Sequence, residues 1–354
     1  MAVFERNRIA DPTYFAINRE PAHSNHKFFR NEQEIKGGNS TFCYSLDGVW
    51  KFHYARNQKE APENFYAPEY DCSMWGEIQV PGHMQFQGYD TPHYINRTYP
   101  WDGWEAIAPG EIPQEFNPVG SYVTSFRIPA LMKDERKYLL FQGVESAFAV
   151  WVNGKFIGYS EDSFTPAEFD ITDYVKTGKN LLAVQVMRVC DGSYLEDQDY
   201  WHLSGIYRDV RIYAKAKQRI LDYKVETLFE KDDFSKATLS VMVHPNNHVP
   251  LYGEHHVEMT LYDADYKKVA ELSTIPFVDC TAYLDPRYMA KPSVEIKNPR
   301  LWSSEIPYLY TLVLEMKDGE GNTTDIESCR VGFRQVRINE RGVLLLNGER
   351  LVIR

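Results

Sequence analysis

No run of a dozen residues in this chain repeats apolar side chains at helical spacing; short alternating runs recur instead. Leu46–Phe52 alternates after an Asp-Gly turn signal, as a half-buried strand should. Ser121–Ile128, Lys137–Phe141, Ala147–Val152, Lys155–Tyr159, Asn180–Met187 and Val210–Tyr213 read the same way. Asn153-Gly154 joins two of these runs and suits a two-residue hairpin, because both residues tolerate positive φ. Many short strands with Gly and Pro punctuation predict a β-sandwich, and a block of about 170 residues suits a jelly roll of two packed sheets.

A second strand set begins near Ile220. Ile220–Phe229, Lys236–Val243, His255–Tyr262, Val294–Ile296, Tyr308–Met316 and Thr323–Arg334 are spaced as in an immunoglobulin-like sandwich, with Lys268–Ile275 as the expected seventh strand. The expected fold is therefore all-β, with a jelly-roll β-sandwich followed by an immunoglobulin-like sandwich. The expected boundaries are an extended arm at 1–44, the jelly roll at 45–217, the second sandwich at 218–335 and a terminal hairpin at 336–354. For the polar arm, two readings stay open: a segment packed on another part of the molecule, or a partly disordered tail.

The hairpin turns at Asn347-Gly348, and its second strand stops at Arg354 with no polar tail. This predicts a chain cut from a longer protein. At 354 residues, two or three domains are expected. The net charge of −11 argues against a nucleic-acid partner. Cys43, Cys72, Cys190, Cys280 and Cys329 are scattered and form no Cys-x-x-Cys pair, so neither a zinc site nor a disulfide framework is indicated. Free thiols, no secretory h-region and no membrane-length apolar run together predict a soluble cytoplasmic protein with no membrane partner.

Two stretches are crowded with polar and aromatic groups. Asp191–Val210 carries five carboxylates together with Trp201 and His202. Carboxylates accept hydrogen bonds from sugar hydroxyls and ligate hard cations, and aromatic rings pack on the C–H faces of a pyranose. The competing reading is a solvated acidic loop whose Trp and Tyr fill the sandwich end. Val80–Trp101 is rich in amide and aromatic groups, too aromatic for disorder and too long for a plain connector. His255-His256 reads as a surface pair rather than a metal site, and the Asn-Glu dipeptides at Asn31-Glu32 and Asn339-Glu340 are too short to mean anything. No nucleophile elbow, phosphate loop, His-Glu-x-x-His or dinucleotide fingerprint occurs.

Taken together, these stretches resemble the N-terminal third of the large β-galactosidases of glycoside hydrolase family 2. The residues that carry the resemblance are Leu46–Phe52, Val80–His83, Tyr94–Pro100, Gly143–Gly154, Tyr159–Asp170, Asp191–Val210, Asn298–Trp302, Pro307–Tyr310 and Val331–Arg334. The resemblance implies a jelly roll, an immunoglobulin-like domain and then a (β/α)8 barrel, the last lying beyond these residues. It implies a cytoplasmic, oligomeric enzyme, a homo-oligomer in full-length form, that cleaves terminal β-D-galactose with retention. Retention needs two carboxyl groups about 5–5.5 Å apart; the family carries both glutamates, and its magnesium ligands, on the barrel, so no catalytic residue is expected here. Asn96 matches the family's asparagine that reaches the galactose hydroxyls. Asp191 matches the aspartate that touches galactose and ligates sodium, in a site left incomplete here. Glu196, Asp197, Asp199, Trp201 and His202 are expected to shape the loop rather than touch sugar. By the resemblance, segment 279–293 would be the loop that approaches a neighbouring subunit's active site, but it is short for that, which leaves the oligomer type open. The alternatives are a free-standing carbohydrate-binding module and a fragment of a β-glucuronidase or β-mannosidase.

Overall fold

A computed structural model of the chain describes residues 4–24, 28–230, 233–245, 255–274 and 291–353. Most of segment 279–293 and Cys280 lie outside these residues. The chain divides into two compact units, one of residues 1–22 and 43–214, the other of 23–42 and 215–354.

The first unit is a sandwich built from alternation. Its larger sheet orders the strands Ala16–Ile17, Lys155–Ser160, Ala147–Val152, Lys179–Met187, Val119–Arg127, Gly48–Ala55 and Gly76–Val80. The opposing sheet orders Ala167–Asp170, Arg136–Phe141, Val210–Lys215 and Cys43–Ser45. Trp50, Phe52, Tyr122, Phe141, Phe148 and Phe169 fill the space between them. The Asn153-Gly154 turn forms as expected, with φ of 51° and 83°.

The larger sheet departs from half-burial. In Ala147–Val152 every residue is buried. Phe148, Val150 and Val152 face the sandwich interior. Ala147, Ala149 and Trp151 instead join a second apolar cluster with Ile9, Tyr14, Phe65 and Trp101. Residues from the N-terminal segment and from loops thus cover the sheet's outer face.

Gly158 shows how tightly that cover is seated. A Cβ there would stand 2.5 Å from both the Ile17 carbonyl oxygen and Phe169 Cε1. We expect Gly158→Ala to destabilise the protein by about 1–3 kcal/mol, the usual cost of overpacking. Equilibrium urea unfolding checks this, and an unchanged midpoint would show that the Ala16–Ile17 strand is not held here.

In the second unit, Ile220–Glu230, Asp233–Pro245 and Ser293–Lys297 form one sheet. Lys268–Ser273, His256–Tyr262, Tyr310–Lys317 and Thr323–Val331 form the other, so the expected seventh strand is present. Leu239, Val241, Val257, Met259, Leu312 and Leu314 make the core. The Asn347-Gly348 turn has φ of 50° and 82°, and its hairpin gains a third strand, Val336–Ile338.

Within 23–42 the short helix Glu32–Gly37 was invisible to a periodicity test because it spans six residues. Asn31 caps it, accepting from the Glu34 N–H at 3.1 Å. Asn339 accepts from the Arg341 and Val343 N–H groups in a turn. Both Asn-Glu dipeptides are therefore local structural devices. The expected surface histidine pair is only half right: His256 pairs with Glu258 at 3.6 Å, but His255, just before the strand, is buried and bonds Gln218 at 2.9 Å.

Candidate functional site

The site is built where strand Lys179–Met187 ends. Asn117 extends the strand's pairing by one step: its side chain accepts from the Val189 N–H and donates to the Val189 carbonyl, both at 2.9 Å. Cys190 and Ser193 then close a capping box over the 3-10 turn Asp191–Tyr194. The Asp191 N–H donates to the Ile9 carbonyl at 3.0 Å, which fixes the turn to the N-terminal segment.

The two crowded stretches meet here. The Gly82 and Met84 N–H groups donate to the Ile206 and Ser204 carbonyls at 2.8 and 2.9 Å. Gln85 exchanges hydrogen bonds with Ser204 through both ends of its amide. Arg188 pairs with Asp90 at 2.5 Å, with both side chains almost fully buried, and donates to the His202 carbonyl at 3.2 Å. Tyr194 packs edge-on against Tyr99 and Trp101, each with ring centres 4.8 Å away. A third stretch joins when Glu196 accepts from both the N–H and the hydroxyl of Ser163, at 2.7 and 2.6 Å.

Inside this frame lies a cavity of about 30 Å³, lined by Trp101, Glu145, Ser146, Ser193, Glu196 and His202 among others. Burial, then the nearby Glu196 carboxylate, pushes the Glu145 carboxyl up to about 8. Burial likewise raises Glu196 and pushes Glu161 up to about 8. Tyr159 donates to Glu161 at 2.6 Å. Burial lowers His202, whose ring bonds the Ile95 backbone and lies 3.5 Å from Asp197. Glu196 and His202 thus hold loops in place, as expected of them.

Asp191 is half-buried. Its Oδ1 is shut away from solvent and receives no N–H or hydroxyl donor among the described residues; burial raises its carboxyl, opposed by a hydrogen bond from the raised Glu161 carboxyl. Ligating atoms of Asp191, Glu161 and Cys190 all lie within 4.8 Å of one another. Asn96 is exposed in a bend just after the strand His93–Tyr94, and its side-chain amide makes no hydrogen bond among the described residues. Composition pointed to neither Glu145 nor Glu161. Their neighbourhood, buried carboxyls beside a cavity, comes from contacts distant in sequence.

Trp201 departs from the competing reading of a loop whose Trp fills the sandwich end. It is 57% exposed and does not fill the sandwich end. Strand Trp201–His202 pairs with His93–Tyr94 in the register Trp201 to Tyr94 and His202 to His93. Alternation then sends His202 inward and puts Trp201 and Tyr94 on the opposite face.

The chain is a two-unit β protein whose first unit gathers carboxylates, amides and aromatic rings around one loop cluster. Residues 43–216 match the sugar binding domain of Glycosyl hydrolases family 2, and residues 218–334 match Glycosyl hydrolases family 2. The chain belongs to that family. It is 43% identical over 352 residues to a β-galactosidase of Priestia megaterium, covering 97% of this chain and 33% of the relative. It is 35% identical over 358 aligned positions to a β-galactosidase large subunit of Latilactobacillus sakei, covering 97% of this chain and 54% of the relative. The chain thus spans a third to a half of the length of these curated relatives. A Bifidobacterium dentium β-glucuronidase structure shares the fold, with a TM-score of 0.67 and 20% identity over 87% of this chain and 50% of that one.

Proposed function

We propose that this chain supplies the non-catalytic sugar-binding portion of a retaining β-galactosidase, and that it does not hydrolyse galactosides by itself. The observation that carries this reading is the 43% identity to a β-galactosidase across 97% of the chain, which includes both crowded stretches. Asn96 offers an exposed, unpaired amide to the galactose hydroxyls, and Asp191 a carboxylate. The Oδ1 of Asp191 also suits sodium, because an unpartnered hard oxygen is what a hard cation takes. Cys190 does not suit it, because burial keeps its soft thiol protonated. Bound sodium would supply a fixed positive charge for sugar oxygens; magnesium is assigned to no residue here. No disulfide joins the four described cysteines to one another, which supports a cytoplasmic setting, and the family resemblance supports an oligomer.

The test has two arms. The purified 354-residue chain should release no o-nitrophenol from o-nitrophenyl β-galactoside. The complete gene product carrying this chain should cleave that substrate and not β-glucuronides or β-mannosides. In it, Asn96→Ala and Asp191→Asn should each lower kcat/KM by about 100-fold, the scale of a misplaced substrate. Turnover by the chain alone, or a preference for another glycoside, overturns the reading.

A further inference from the structure

We propose that Arg188 is a positioning residue for the galactose site: it fixes where Asn96 stands relative to Asp191. The proposal rests on the reading of those two residues as galactose contacts, and adds to it the group that holds them in one geometry.

Arg188 lies just past the strand Lys179–Met187 and three residues before Asp191. Its backbone is tied down, because its N–H donates to the Pro118 carbonyl at 3.0 Å. Its guanidinium reaches the other crowded stretch by two routes. One nitrogen pairs with Asp90 at 2.5 Å, six residues before Asn96. Another donates to the His202 carbonyl at 3.2 Å. His202 carries the link onward. It pairs with His93 in the two-stranded ribbon, and its ring bonds the backbone of Ile95, the residue before Asn96. Asn96 itself sits in an exposed bend with no side-chain hydrogen bond among the described residues, so its place is set through this backbone.

Two features separate positioning from plain stabilisation. The pair is buried, with the Arg188 and Asp90 side chains 7% and 5% exposed. Desolvating both charges offsets much of their attraction, and the best-attested use of such a pair is to specify one geometry. Asp90 also has donors besides Arg188. Gln85 donates to the same carboxylate oxygen at 3.0 Å, and the Tyr54 side chain bonds the carboxylate as well. What Arg188 alone adds is the fork. A planar guanidinium holds its donors at fixed angles, so seating one nitrogen on Asp90 fixes the other on His202. A lysine keeps the charge but offers its donors from one rotating nitrogen, without the span between two.

In the complete gene product carrying this chain, Arg188→Lys should lower kcat/KM for o-nitrophenyl β-galactoside by about tenfold or more, within the loss that a misplacement of about 1 Å can cause. In an Asn96→Ala background the same change should lower it by no more than about twofold, because the contact that Arg188 places is already gone. A merely structural loss would lower it by the same factor in both backgrounds, since independent effects add in free energy. Equilibrium urea unfolding of the 354-residue chain is the folding control. Should Arg188→Lys lower the midpoint, Arg188→Gln combined with Asp90→Asn takes its place in the same comparison, because that pair leaves no lone buried charge. An equal loss in the two backgrounds, an unchanged kcat/KM in Arg188→Lys, or a chain that both replacements unfold overturns the assignment. The reading of Asn96 as a galactose contact fails separately, through an Asn96→Ala enzyme that keeps the wild-type kcat/KM.

Discussion

Replacing Lys215 with methionine is expected to destabilise the second unit by about 3–5 kcal/mol, the range found when one partner of a buried ion pair is removed. Lys215 Nζ lies 2.7 and 2.6 Å from the two carboxylate oxygens of Asp325 and 2.6 Å from Glu327 Oε1. The Lys215 side chain is 1% exposed, and those of Asp325 and Glu327 are 6% and 0% exposed. The ammonium also sits 4.4 Å from the centre of the Phe28 ring. Asp325 Oδ2 further accepts from the Ile220 N–H at 2.9 Å, at the start of the first strand of that sandwich. Without the ammonium, two carboxylates face each other in a medium that solvates neither. Urea unfolding, followed by a probe in the second unit, measures the loss. Adding Asp325→Asn and Glu327→Gln to Lys215→Met should restore much of the stability, because the cost lies in uncompensated charge rather than lost packing. A loss below about 1 kcal/mol, typical of exposed pairs, would mean that water reaches the cluster.

That cluster marks a limit of sequence reading. Lys215 lies 110 and 112 residues from its partners, and nothing local to any of the three predicts burial. The strands were legible because alternation is a local property, and the Asn153-Gly154 and Asn347-Gly348 turns because positive φ is written in residue type. The doubly covered sheet was not legible. Ala147, Ala149 and Trp151 suggest a second buried face only once Ile9 and Tyr14 are known to lie on it. At the site, the resemblance singled out Asn96 and Asp191. Composition alone left Trp201 either facing sugar or filling the sandwich end, where a tryptophan would bury its area. The register of a two-residue ribbon decided against burial: of the neighbours Trp201 and His202 only one can face inward, and pairing with His93 selected the histidine.

Glu145 gives the second large effect, a loss of stability as pH rises. Its carboxyl is pushed from an ordinary 4.5 up to about 8, chiefly by burial and then by the Glu196 carboxylate, with Arg188 and the Leu203 backbone opposing. His83 faces it at 4.0 Å and offers little charge in compensation, since burial lowers the histidine. A carboxyl whose folded pKa exceeds its unfolded value holds its proton more tightly in the folded state. Its contribution is therefore fully present below about 4.5 and is lost as pH rises to about 8. Each tenfold gain in proton affinity is worth about 1.36 kcal/mol, so the group accounts for roughly 3–5 kcal/mol across that window. Glu145→Gln is nearly isosteric with the protonated acid and has no proton to lose. Unfolding free energies measured at pH 5, 6, 7 and 8 should fall steeply for the wild type and clearly less for the variant, which should be the more stable of the two at pH 8. Parallel curves for the two proteins would mean that Glu145 is ionised in the folded state. In that case the cavity beside it is wet enough to solvate a carboxylate, and the frame that holds Asp191 and the Asn96 loop is looser than the hydrogen bonds around it imply.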